Sequence, residues 1–212
     1  MNPRRRSLVA AIALASQGAL LSPLGALAQP RGDYVVLNPP LQVETGGKIE
    51  VLELFWYGCI HCYNLEPLIE NWEKKLPGDV QFRRVPAVFN ERWAQDAAIF
   101  YSFEALGVLD KLHRPFFDAI HRERLNTANQ QVLTEWLQKQ GVDPKKFFDT
   151  LKSFGVQSRT RRATQQSIAY KIDGTPAMAV HGRYTVSAEQ GGSREGMLQT
   201  VDYLVEQVRK AK

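Results

Sequence analysis

Cysteine is scarce in this chain: 212 residues hold only two, Cys59 and Cys62, separated by Ile60 and His61. With no third cysteine, and with His113, His121 and His181 scattered far from the pair, a tetrahedral zinc site lacks ligands. Tyr63, not histidine, follows Cys62, so the c-type haem attachment pattern is missing. No second cysteine pair is present to regenerate the first, and that task falls to a partner. Internal repeats and low-complexity linkers are also missing, and a length of 212 residues suits one ordinary domain, with room for an insertion. Strong net charge is lacking too. The formal charge is +5, but Arg4, Arg5 and Arg6 belong to an export segment whose removal takes away three, leaving +2. That is a poor basis for nucleic-acid binding, and Arg159, Arg161 and Arg162 read as a solvated helix face.

The export segment has three parts. Arg4 to Arg6 make a basic start, Leu8 to Leu14 an apolar stretch continued weakly to Leu21, and Ala26-Leu27-Ala28 a small-x-small cleavage site. Residues 1–28 are therefore expected to be cleaved, with Gln29 the first mature residue. Ser16, Gln17, Gly18, Ser22 and Pro23 interrupt the apolar run and argue against a retained anchor. No later stretch is long enough to span a membrane. The paired arginines fit twin-arginine or general secretion. Export places Cys59 and Cys62 in an oxidising compartment.

What is present centres on residues 50–72. An apolar run from Ile49 to Trp56, broken only by Glu50 and Glu53, predicts a central strand. Leu65, Leu68, Ile69, Trp72 and Leu76 share one helical face just beyond it, with Pro67 expected to kink the helix. Cys59 would then stand where backbone N–H groups are unpaired and the helix dipole is positive. Both favour the thiolate, the reactive form, and a protonated His61 would add to them. Two cysteines so spaced can close into a disulfide with little backbone movement. The pattern points to redox chemistry. A purely structural disulfide competes with it, but so short a loop gains little chain entropy by closing.

Along the mature chain, Tyr34 to Val43 reads as an extended arm containing Asn38-Pro39-Pro40, followed by a turn at Thr45-Gly46-Gly47. Glu53 shares a strand face with Ile49, Val51 and Phe55, so its carboxylate is expected buried and either protonated or paired. After Pro77-Gly78-Asp79, Val80 to Val85 forms a second strand, parallel to the first across a helical crossover. Arg84 on it is a candidate partner for Glu53. Five helices are expected next, the fifth more polar than the rest: an amphipathic one beginning at Trp93, Ala97 and Phe100, and one over Leu109, Leu112, Phe116 and Ile120. Val132, Leu133, Trp136 and Leu137 mark a third, Phe147, Phe148 and Leu151 a fourth, and residues 157–169 a fifth. Their aromatics read as core and imply no cofactor. A hairpin over Ala177 to His181 and Tyr184 to Val186 follows Gly174-Thr175-Pro176. Last comes a helix opened by Ser193, with Met197, Val201, Leu204, Val205 and Val208 on one face. The order βαβ, helices, ββα describes an α/β thioredoxin-like fold with an inserted all-helical domain. Residues 29–90 and 171–212 make its two halves, and 91–170 the insert.

Phe55-Trp56-Tyr57-Gly58-Cys59-Ile60-His61-Cys62-Tyr63, Glu53 six residues before the first cysteine, and Gly174-Thr175-Pro176-Ala177 resemble the DsbA family of periplasmic thiol:disulfide oxidoreductases. The resemblance covers nearly the whole mature chain. It implies that Cys59 is the exposed nucleophile and Cys62 its buried partner. It further implies that Glu53 is the buried acid beneath them, and that Thr175 and Pro176 form a substrate-binding turn, with a cis-proline facing the disulfide. A monomeric periplasmic oxidase is the expectation, acting on unfolded exported proteins with free cysteines. Its redox-active disulfide would be restored by a membrane, quinone-linked reoxidant of the DsbB type, with no other cofactor, no metal and no nucleic acid. Ile60 departs from the family's usual Pro-His pair, removing a fixed φ and restoring a backbone N–H, which bears on potential more than on reaction type. A reductase or isomerase of the same fold is the alternative, although the arm from Gln29 to Val43 is too short for the dimerisation domain such isomerases usually carry. A peptide-binding or chaperone module with a structural disulfide is the alternative from another class.

Overall fold

The computed structural model describes residues 32–211, so the expected export segment, 1–28, lies outside the described residues. In chain order, β1 (Val35–Val36) and β2 (Ile49–Phe55) lead into α1 (Ile60–Glu73) and β3 (Val80–Pro86). Five helices follow: α2 (Glu91–Ala105), α3 (Leu109–His121), α4 (Gln130–Lys139), α5 (Pro144–Leu151) and α6 (Phe154–Ala169). The chain then returns to the sheet with β4 (Ala177–Val180) and β5 (Tyr184–Ser187) and ends on α7 (Arg194–Lys210).

All seven residues of β2 are buried, as a central strand covered on both faces requires. β3 pairs with it in parallel across the α1 crossover, and β4 pairs antiparallel on its other side. The sheet order is β1-β5-β4-β2-β3. The helix α1 runs on past Pro67. The arm expected over residues 34–43 contributes only β1. Beyond that strand, Leu37 and Leu41 N–H donate to the carbonyls of Arg183 and Gly182, each at 2.8 Å, which fastens the arm to the hairpin turn. Gly182 has φ +64°, and a Cβ there would lie 2.2 Å from the Leu41 carbonyl oxygen, so turn and arm together demand glycine. His181, expected to end the strand, is instead part of this turn at φ +49°, because the chain must reverse there.

Two cores sandwich the sheet. On one face, Ile49, Val51, Met178 and Val180 meet Leu65 and Ile69 of α1 and the full expected stripe of α7. On the other, Leu52, Leu54, Val85 and Ala179 meet Phe100, Phe103, Phe116 and Phe147 from the helices between β3 and β4. Burying each such ring contributes roughly 1.5–3 kcal/mol. Phe55 departs from its expected face. At the end of β2 its ring leaves the Ile49/Val51 side and packs edge-on against Tyr57, Phe100 and His113. Trp93, expected in the core, is only half-buried and stacks on Trp56 with centroids 4.3 Å apart.

The helix α6 begins at Phe154 rather than near Gln157, capped by the Ser153 hydroxyl, which accepts from the Val156 N–H. Its buried face is Val156, Thr160, Ala163 and Ser167, small and partly hydroxylic. The hydroxyls of Thr160 and Ser167 donate back to carbonyls one turn earlier, which satisfies them without an apolar stripe. Hydrophobic spacing therefore missed the first turn. Arg159 and Arg162 on this helix are exposed and paired with Glu104 and Glu44. The whole is a thioredoxin-like fold with a helical insertion between β3 and β4.

Candidate active site

β2 ends at Phe55, and the next three residues build a wall before the helix starts. The Trp56 indole lies over Gly58, where a Cβ would meet the ring at 2.3 Å, so a side chain there would dislodge it. The indole is fixed from behind, since Nε1–H donates to Asp96 Oδ2 at 2.8 Å. Cys59 is the N-cap of α1, with extended backbone (φ −86°, ψ 114°), and its Sγ accepts from the Cys62 N–H at 3.4 Å. Sequence spacing placed Cys59 at a helix start, and the capping geometry agrees with it.

The two thiols are unbonded, Cys59 partly exposed and Cys62 fully buried. Their acidities diverge. The Cys59 thiol is pulled down to about 5, most of all by a hydrogen bond from Cys62. Burial opposes this, while the Thr175 side chain and the backbone N–H groups of Cys62 and His61 support it. The Cys62 thiol is pushed well above its ordinary value, first by burial, then by its bond to Cys59 and by the negative charge of Cys59 and Glu53. Facing Cys59 is the turn before β4. The Cys59 thiol donates to the Thr175 carbonyl oxygen at 3.3 Å, and the Thr175–Pro176 bond is cis. His61, exposed, lines with Thr175, Pro176 and Arg194 a cleft of about 340 Å³ beside the thiol.

Beneath the dithiol lies a buried charge layer. Glu53, fully buried, stands opposite Arg84 in the β2–β3 register, with Oε2 3.3 Å from Arg84 Nε. Arg84 also reaches Glu66 at 3.1 Å and Glu73 at 3.6 Å. No hydrogen-bond donor among the described residues serves either Glu53 carboxyl oxygen. Burial, reinforced by the charge of Glu66, pushes the Glu53 carboxyl well above the carboxylate range, and Arg84 does not offset it. Glu66 goes the other way. Burial would raise it, but the hydrogen bond and positive charge of His113, and then the charge and hydrogen bond of Arg84, outweigh that. His113 Nε2 is 3.3 Å from Glu66 Oε1, and its Nδ1 is 2.9 Å from the Tyr57 hydroxyl.

The structure thus brings Cys59, Cys62, His61, Thr175 and Pro176 to one end of the sheet, with Glu53 and Arg84 below. Sequence reasoning missed Glu66, His113 and Tyr57. Glu66 carried a usable signal, since it lies one helical turn beyond Cys62 on the same face. His113 carried none, because forty-seven residues separate it from Glu66 and only the helical insertion brings them together. Among the described residues no cluster of three or more histidines, cysteines or acids could hold a metal, and no helix is long and apolar enough to cross a membrane.

A dithiol at a helix start, with one acidic and one buried sulfur facing a Thr-Pro turn on a thioredoxin-like sheet, defines a thiol:disulfide oxidoreductase. The comparisons with known proteins name the family. A model of the DSBA-like thioredoxin domain matches residues 63–200. The thiol:disulfide interchange protein DsbA of Azotobacter vinelandii is 45% identical over 179 residues, 84% of this chain and 84% of that protein. The DsbA of Bordetella parapertussis is 44% identical over 204 residues, 96% of each. Among solved structures, Pseudomonas aeruginosa DsbA superposes with a TM-score of 0.80 at 40% identity, covering 85% of this chain and 94% of that one. The oxidoreductase DsbA of Xylella fastidiosa gives 0.78 at 32%, covering 84% and 96%. The chain belongs to the DsbA family, whose chemistry runs through its own cysteine pair, here Cys59 and Cys62.

Proposed function

We propose that this protein is a periplasmic disulfide oxidase that passes the Cys59–Cys62 disulfide to unfolded exported proteins. A substrate thiolate attacks Cys59 Sγ and the Cys59–Cys62 bond breaks. Its electron pair goes to Cys62 Sγ, which takes a proton from Glu53. A second substrate thiolate then attacks the substrate sulfur of the mixed disulfide, and Cys59 leaves as a thiolate. Two substrate thiols become a disulfide and the protein becomes a dithiol. A membrane, quinone-linked oxidant of the DsbB type takes those two electrons and restores the pair. Thr175 and Pro176 hold the substrate backbone beside Cys59, and His61 adds positive charge when protonated. Residues 29–90 and 171–212 serve as the redox unit and 91–170 as its helical cover, in a protein that acts as a monomer after losing residues 1–28.

The observation that carries this reading is the acidity of Cys59, down to about 5 while its partner goes up. A stabilised thiolate is a good leaving group and favours the reduced protein, so the disulfide is given away. Equilibration in glutathione buffers tests it. The pair should be reduced at a small excess of reduced over oxidised glutathione. If it stays oxidised until reduced glutathione is in large excess, the protein is a reductase or its disulfide is structural.

A further inference from the structure

The buried charge layer holds one guanidinium against two buried carboxylates. Arg84 lies 3.3 Å from Glu53 and 3.1 Å from Glu66, so distance alone does not choose between them. Its third partner, Glu73, is partly solvated and needs less compensation. One buried cation compensates one buried carboxylate, and the second acid keeps its proton. His113 breaks the tie. Its Nδ1 meets the Tyr57 hydroxyl at 2.9 Å and its Nε2 meets Glu66 Oε1 at 3.3 Å. In a neutral imidazole only one nitrogen carries hydrogen. When the Tyr57 O–H donates to Nδ1, Nε2–H donates to Glu66, and that bond favours an ionised carboxylate. The reverse tautomer would set a lone pair against Glu66 that only a protonated carboxyl could meet. Arg84 Nη2 already donates to Glu66 Oε2 at 3.1 Å, while no donor among the described residues serves Glu53.

We propose that His113 is a positioning residue that keeps Glu66 the ionised member of the buried acid pair and leaves the proton on Glu53. This rests on, and deepens, the reading of Glu53 as the acid–base group for Cys62. The groups facing His113 fit a neutral ring. Phe55 of β2, Phe100 of α2 and Phe117 of its own helix pack around it. The Arg84 cation of β3 also disfavours a second proton, while Glu66 and Glu70 of α1 pull the other way; burial is the largest influence and the imidazole goes below its ordinary value. Tyr57, held well above its ordinary value by burial, remains a donor. The helical insertion thereby sets a protonation state within the redox site, through α3, as well as covering the sheet.

Carboxyl carbon NMR on the reduced protein, with both glutamates assigned through bonds, is the test. At neutral pH Glu53 should be protonated and Glu66 ionised. The variant His113→Leu should lower the Glu53 midpoint by about one pH unit and raise that of Glu66. His113→Gln, whose amide can donate in place of Nε2–H, should restore both. Finding the proton on Glu66 in the unmodified protein overturns the proposal, and so do midpoints unmoved by His113→Leu. The first measurement needs no core variant, so poor folding of His113→Leu does not protect the idea. If the protonation pattern holds but Glu53→Gln turns over normally, the catalytic reading of Glu53 fails and the positioning role of His113 stands.

Discussion

Cys59 and Cys62 are the same residue type one helical turn apart, yet their surroundings divide them. Cys59 caps the helix, collects hydrogen bonds from Cys62, Thr175 and backbone N–H groups, and keeps partial access to solvent. Cys62 points into a fully buried layer whose nearby acid, Glu53, finds no hydrogen-bond donor among the described residues. The difference teaches that reactivity here follows donors and solvation. One sulfur is made to leave as an anion, and the other is made to need a proton.

The harshest way to break this asymmetry is Cys59→Ser, which should abolish turnover, whereas Cys62→Ser should accumulate mixed disulfides with substrate; gel analysis of trapped adducts distinguishes them. Next is the pH response of the reduced pair. Thiolate absorbance should show Cys59 titrating at about 5, and a midpoint near the ordinary value of about 8.5 would erase the asymmetry. The folded value lies below the unfolded one, so this thiolate stabilises the reduced fold. The contribution is complete above the unfolded value and lost as pH falls through about 5. The stability of reduced over oxidised protein should therefore widen as pH rises from 5 to about 8, before the raised Cys62 thiol begins to cost the fold, measured by denaturant unfolding of both forms.

Smaller effects sharpen the comparison from each side. Glu53→Gln, nearly isosteric, should slow the Cys62-dependent step by about tenfold or more while leaving the Cys59 midpoint in place. Stopped-flow thiol exchange across pH reads both, and an unchanged profile would reduce Glu53 to a structural role. The raised Glu53 value also carries a stability sign. Its protonated form stabilises the fold at low pH, and the benefit is lost as pH rises, so Glu53→Gln should gain on the parent toward alkaline pH. On the Cys59 side, His61→Ala keeps the backbone N–H that supports the thiolate and should raise the thiol midpoint by less than about one pH unit, through loss of the side chain alone. Thr175→Val, which removes one donor and keeps the shape, should raise it by less than about one unit.

Much of this molecule is written in local pattern. The apolar run from Ile49, broken only by Glu50 and Glu53, fixed a central strand, the spacing of Leu65 and Ile69 fixed the helix behind the cysteines, and the capping position of Cys59 followed from the two together. The pairing of Glu53 with Arg84 could be suspected from two strand faces, and the parallel register made it actual. Where local pattern failed, the cause was a contact it does not encode. α6 hides its buried face behind hydroxyls bonded to their own helix, and Phe55 turns toward rings supplied by distant helices. By itself the sequence determined a dithiol at a helix start on a thioredoxin-like framework, because strand and helix periodicity are properties of neighbouring residues. Only the tertiary structure decided how Glu53, Arg84, Glu66, His113 and Tyr57 share charge and protons. Those states depend on burial and on distances of about 3 Å between residues far apart in the chain.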